Sequence, residues 1–155
     1  MSKPLTRENK KNIIIDSYYN MSKNPNILGQ AHHLNQAAAF KGTIPRRDGL
    51  CISIEGNVFK DIGSNHYTIH DHTETNLWDI YRKGGEKYGE TPKISDYNNT
   101  IKSGFEKMEF SKEDIDYIIE MVIKEQTKYG LKSDSPVPRI PGRLNLPKKN
   151  NKGDD

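Results

Sequence analysis

Cysteine is nearly absent. Cys51 is the only one in 155 residues, so the chain can form no internal disulfide and no four-cysteine zinc knuckle. Apolar residues are also scarce, at 32% with a mean hydropathy of −0.91. The core is therefore modest, and a chain of this length is expected to hold one domain with loose ends. No apolar run approaches the length of a membrane span, so no membrane partner is expected. Met1-Ser2-Lys3-Pro4 lacks the apolar centre of a signal peptide. The chain is expected to be soluble, and any export to depend on another segment or another protein. His-Glu-x-x-His does not occur, which argues against a zinc peptidase of that type. Lys83-Gly84-Gly85 lacks the strand-loop-helix setting of a phosphate loop and is read as a helix stop. There is no internal repeat. Charge is only mildly one-sided: +3 net, with charged residues at 29% and a pI near 8.8. That balance permits a nucleic-acid partner without requiring one.

Histidine, by contrast, is concentrated. All five histidines lie between positions 32 and 72, as the pair His32-His33 and the group His66, His70 and His72. Divalent ions such as zinc take neutral imidazole ligands, and His66-x-x-x-His70 places two imidazoles on one side of a helical turn. The competing reading, histidines on a solvated polar helix face, applies to the second group taken alone. The two groups together favour a metal site. Neighbours on an extended segment point to opposite sides, so His32 and His33 divide their roles. The economical arrangement puts His32, His66 and His70 on one ion and leaves His33 beside it as a proton acceptor. Three protein ligands leave coordination positions open, as a catalytic ion needs. Such an ion suits phosphodiester cleavage, where charge develops on oxygen and a nearby imidazole can take a proton from water.

Other residues admit competing readings of the same kind. Arg46-Arg47, in the loop Thr43–Gly49, are candidate phosphate contacts or an exposed loop pair. Arg139 and Arg143 are weaker candidates of the same kind. His72 is a phosphate contact, a solvated side chain or a substitute ligand. Cys51, within the alternation Leu50-Cys51-Ile52-Ser53-Ile54, reads as a buried strand residue rather than a nucleophile. Trp78 reads as core rather than as a base-stacking platform.

The elements are expected as follows. Residues 6–22 form a helix capped by Thr6, and Ala37–Phe40 a short buried helix. Residues 50–54 are a strand and Glu55-Gly56-Asn57 a turn. The loop Asp61–Asn65 delivers His66, and a helix runs from about His70 to Arg82. Ser95 caps a helix through about Lys107. Ser111 opens another, with Ile115, Ile118, Ile119, Val122 and Ile123 on one face and Gly130 as its stop. Pro136, Pro138, Pro141 and Pro147 prevent regular structure in the tail. The division is residues 1–27 as an N-terminal helical segment, 28–146 as the functional domain and 147–155 as a basic, polar, disordered tail.

Ala31-His32-His33 followed by His66-x-x-x-His70 resembles the HNH/endonuclease VII superfamily, and within it the AHH-type nuclease domains of bacterial polymorphic toxins. The strings Gly29-Gln30-Ala31-His32-His33-Leu34-Asn35-Gln36 and Pro136-Val137-Pro138-Arg139-Ile140-Pro141 resemble such domains too, and the likeness covers roughly residues 28–144. It implies an α+β fold: a small ββα-metal core with a short antiparallel sheet, surrounded by helices. It implies one divalent ion (Mg, Zn, Mn or Ni), His32 as a ligand and His33 as general base. It also implies an endonuclease acting on nucleic acid, DNA before RNA. The setting it implies is the C-terminal toxin end of a larger secreted protein, acting in the cytoplasm of a target bacterium and held in check by a cognate immunity protein. The asparagine that orients the loop in HNH enzymes has no secure counterpart, Asn57 and Asn65 both being possible. The alternative function is a metal-stabilised nucleic-acid-binding module without hydrolysis; a third reading is a hydrolase of small phosphoesters.

Overall fold

The computed structural model describes residues 14–25, 27, 29–54 and 63–147. Its sheet has three antiparallel strands in the order β1-β3-β2: β1 is Ile15–Ser17, β2 Gln30–His33 and β3 Leu50–Ile54. Helices surround it, which gives the expected α+β architecture. As the central strand, β3 is covered on both faces, so Cys51, Ile52, Ser53 and Ile54 are all buried. Its pairing with β2 sets Ile52 opposite His32 and Cys51 opposite His33.

The N-terminal segment departs from expectation. Ile15–Ser17 is a strand, paired with β3 through Ile15 opposite Ile52, and the helix α1 is confined to Tyr18–Ser22. β-Branched isoleucines favour extended backbone, and the free edge of β3 offers them a ladder. Extended Ser17 then caps α1 by accepting from the Asn20 N–H. The described part of the N-terminal segment thus belongs to the same sheet as β2 and β3. Residues 6–13 of the expected helix lie outside the described residues.

The link between β2 and β3 is a run of turns, not a helix at Ala37–Phe40. It is closed by Phe40 N–H to Gln36 O at 3.0 Å and Ile44 N–H to Phe40 O at 2.9 Å. Ala39 and Phe40 are nevertheless fully buried. Arg46–Asp48 forms one tight helical turn just before β3.

The helix expected from about His70 begins five residues earlier. α2 is Asn65–Thr73, capped by Ser64 Oγ, which accepts from the Tyr67 N–H. It runs into a wider π turn, Glu74–Trp78, and ends in α3, Asp79–Tyr81. Leu77 and Trp78 point inward, as anticipated. α4 is Ile94–Lys107, starting one residue before Ser95, and Asp96 accepts from the Lys93 N–H at its entry. α5 is Lys112–Lys128, capped by Ser111. Ile115, Ile118 and Val122 are buried, each worth roughly 1.5–3 kcal/mol, whereas Ile123 is 45% exposed. Gly130 ends this helix with φ +84°, where an L side chain would be strained.

Residues 131–147 wrap the domain without a helix or a strand, tied by Val137 N–H to Pro92 O and Arg139 N–H to Ala39 O. The turn at 55–57, Asn57 and the tail 148–155 lie outside the described residues. Among the described residues no helix is long and apolar enough to cross a membrane.

Candidate metal centre

The expected histidine triad comes together. His32 projects from β2, and His66 and His70, one turn apart, share a face of α2. One ligand atom from each lies within 4.8 Å of the others. The His32 ring meets His66 and His70 edge-on, with centroids 5.2 and 4.7 Å away. His66 and His70 are tilted at 5.0 Å. His32 and His66 are buried, and His70 partly so.

The donor set fits a divalent ion. Burial first, then the neighbouring imidazoles, hold His32 well below its ordinary value. Burial first, then His66, lowers His70 to about 4. At neutral pH these rings are therefore neutral, the form that ligates a metal. The cluster can hold an ion.

His33 is not a member of the triad. Its Nε2 lies 2.9 Å from the carbonyl oxygen of Arg46, and since a carbonyl only accepts, Nε2 carries the hydrogen. Nδ1 is left with the lone pair. The ring stacks on Tyr18, with centroids 5.1 Å apart and planes 22° apart. Gly49 lies against its edge: a Cβ there would come within 2.9 Å of His33 Cδ2. The imidazole titrates below its ordinary value. Burial is the main cause, the hydrogen bond to the Arg46 carbonyl opposes it, and the Arg46 charge adds to it. His33, His66, Arg46 and Tyr18 all line one open cleft of about 470 Å³.

The segment after the histidine pair is fastened to the last two helices. Tyr97 Oη accepts from Gln36 N–H and donates to Leu34 O, at 2.8 and 2.7 Å. Asn35 Nδ2 donates to Val122 O and to Glu125 Oε1, while Glu125 Oε2 accepts from Leu50 N–H at 2.7 Å. Trp78 Nε1 donates to Gln36 Oε1. So α4 and α5 fix where β2 ends. Asn35-Gln36 beside the pair was the available signal: two amides in an otherwise apolar stretch.

The remaining candidates are placed elsewhere. His72 joins α2 to α4: Nε2 is 2.7 Å from Ser103 Oγ, and Nδ1 accepts from Asn76 at 3.0 Å. It is outside the triad. Asn65 is the first residue of α2. Arg46 and Arg47 are exposed beside the cleft, and Arg143 pairs with Asp79 across 2.8 Å. Trp78 is fully buried. Burial pushes the Cys51 thiol up to about 12, which leaves it inert. A second cavity of about 330 Å³ lies where residues 143–147 cross Tyr67, Asp71, Glu74 and Asp79. These carboxylates sit at i, i+3 and i+8 along the run from α2 to α3, and the sequence reading passed over them.

Comparison with protein-family models, with curated proteins and with solved structures finds no match to this chain.

Proposed function

We propose that this chain is a metal-dependent endonuclease, cleaving phosphodiester bonds of DNA in preference to RNA. One observation carries the reading: His66 of the imidazole triad and the separate imidazole of His33 line the same cleft. A bound divalent ion would supply positive charge to the phosphate oxygens and the leaving oxygen. An all-imidazole set suits zinc or nickel better than magnesium or manganese, which prefer oxygen.

The protein's own groups do the rest. His33 Nδ1 takes the proton of the attacking water, while Nε2–H on the Arg46 carbonyl keeps the ring in that tautomer. Tyr18 and Gly49 limit the ring's rotation from its two sides. Arg46 and Arg47 meet the phosphates flanking the reactive one. The resemblance of Ala31-His32-His33 and His66-x-x-x-His70 to AHH-type toxin nucleases supports the same chemistry. On that resemblance, the proposed setting is the C-terminal toxin end of a larger secreted protein that acts inside a target bacterium and is neutralised by a cognate immunity protein.

The test is nicking of supercoiled plasmid DNA with zinc, nickel, manganese or magnesium, against a chelator control and an RNA of similar length. Ion-dependent nicking with DNA favoured is the expected result. DNA bound but left intact under every ion would overturn it and leave a binding module.

A further inference from the structure

Arg46 lines the cleft, and both it and its neighbour Arg47 lie against tyrosine rings. Arg46 lies over the Tyr18 ring at 4.6 Å and Arg47 over the Tyr19 ring at 4.5 Å. Lys23 reaches the Tyr19 ring at 4.9 Å. Among the described residues, no acidic side chain pairs with Arg46 or Arg47, whereas Arg82 and Arg143 are paired. Both side chains are exposed, and their seating on consecutive tyrosines is what sets them apart. A guanidinium laid on a ring keeps its N–H fork in its own plane, clear of the ring, and loses little freedom when that fork is used. Tyr18 and Tyr19 are consecutive on α1, and Arg46 and Arg47 are consecutive in the turn before β3. Each ring thus carries one fork in the same order along the two segments. The Arg46 carbonyl, which accepts from His33, ties the pair to the proton acceptor.

We infer that Tyr18–Arg46 and Tyr19–Arg47, with Lys23, form a backbone clamp for consecutive phosphates of a nucleic-acid strand leading into the cleft. This deepens the nuclease reading and rests on it. The clamp gives α1 a role: its rings are positioning groups for the arginines, and the contacts carry no sequence preference. The ligand proposed is a polymer backbone, with one phosphate to each fork.

The test is metal-free binding, measured by fluorescence anisotropy with a labelled mixed-sequence DNA 20-mer, single-stranded and duplex, from 50 to 300 mM KCl. Tyr19→Leu, Tyr19→Phe and the double variant Arg46→Gln/Arg47→Gln are compared with wild type, each checked for fold by circular dichroism. Losing two phosphate contacts should flatten the plot of log affinity against log salt by about 1.4 for the single strand and about 1.8 for the duplex. Tyr19→Leu should weaken binding about two- to fivefold, the size of an exposed cation–ring contact, and Tyr19→Phe should bind as wild type. An unchanged slope in the double variant overturns the clamp, even if plasmid nicking proceeds. Normal clamp behaviour without nicking under any ion would leave the clamp standing and sink the nuclease reading. Binding of polyglutamate but not of either DNA would overturn the clamp in favour of an acidic protein partner.

Discussion

The imidazoles of His32 and His70 meet edge-on with centroids 4.7 Å apart, so the triad joins strand β2 to helix α2. The ion that the triad can hold would tie the sheet to the helix. Added zinc or nickel is expected to raise the unfolding temperature. At about one hundred times the dissociation constant the gain is roughly 2.7 kcal/mol. Calorimetry of wild type and of His32→Ala, His66→Ala and His70→Ala checks this. All three variants should lose the shift. A shift that survives in all three would remove the triad as the binding site.

The same rings make the metal-free protein sensitive to acid. His32 and His70 titrate lower when folded than the ordinary value of 6.5, so the unfolded chain binds more protons in between. Their contribution to stability is therefore complete above about pH 6.5. It is lost as the pH falls towards about 4, the folded value of His70. Urea midpoints measured from pH 8 to 4 should fall across that window, and should fall less in His70→Ala.

Gly49 is the close neighbour of His33. Gly49→Ala would bring a Cβ within 2.9 Å of Cδ2 and push the ring from the Arg46 carbonyl. Metal affinity should be unchanged while turnover drops at least tenfold. Equal turnover in the variant would show that the ring has room the contact distance denies.

Arg82 joins the π turn to the C-terminal wrap. It pairs with Glu74 and Asp79 and donates to the carbonyls of Pro141 and Gly142. Arg82 and Glu74 side chains are only 11% and 7% exposed. Arg82→Ala strands the Glu74 charge and should cost about 3–5 kcal/mol in a denaturant titration. A loss under about 1 kcal/mol would mean that Glu74 is solvated after the change.

The parts of this molecule readable from the chain are those with local signals. The alternation at 50–54 marks β3, and Ser111 with its isoleucine stripe marks α5 at its true start. The His66–His70 spacing marks two members of the triad. His32 could be proposed from residue type, but its nearness to α2 depends on the pairing of β2 with β3. β1 was hidden because Ile15 fits a helix face as well as a strand, and only the edge of β3, some thirty-five residues away, decides between them. The start of α2 is hidden because Ser64, between Gly63 and Asn65, fits a loop as well as a cap. The Tyr18–His33 stack, the Arg46 carbonyl and Glu125 on Leu50 are long-range contacts that no spacing announces.

In the proposed mechanism, ion binding and proton transfer are divided between His32 and its neighbour His33. The decisive experiment measures metal content and single-turnover cleavage on the same His33→Ala preparation. One ion per chain is expected, as in wild type, with cleavage slower by about a hundredfold or more. The pH–rate profile of wild type should rise below pH 6.5, because burial lowers the His33 imidazole. Loss of the ion from His33→Ala, or cleavage at the wild-type rate, would contradict the division of roles.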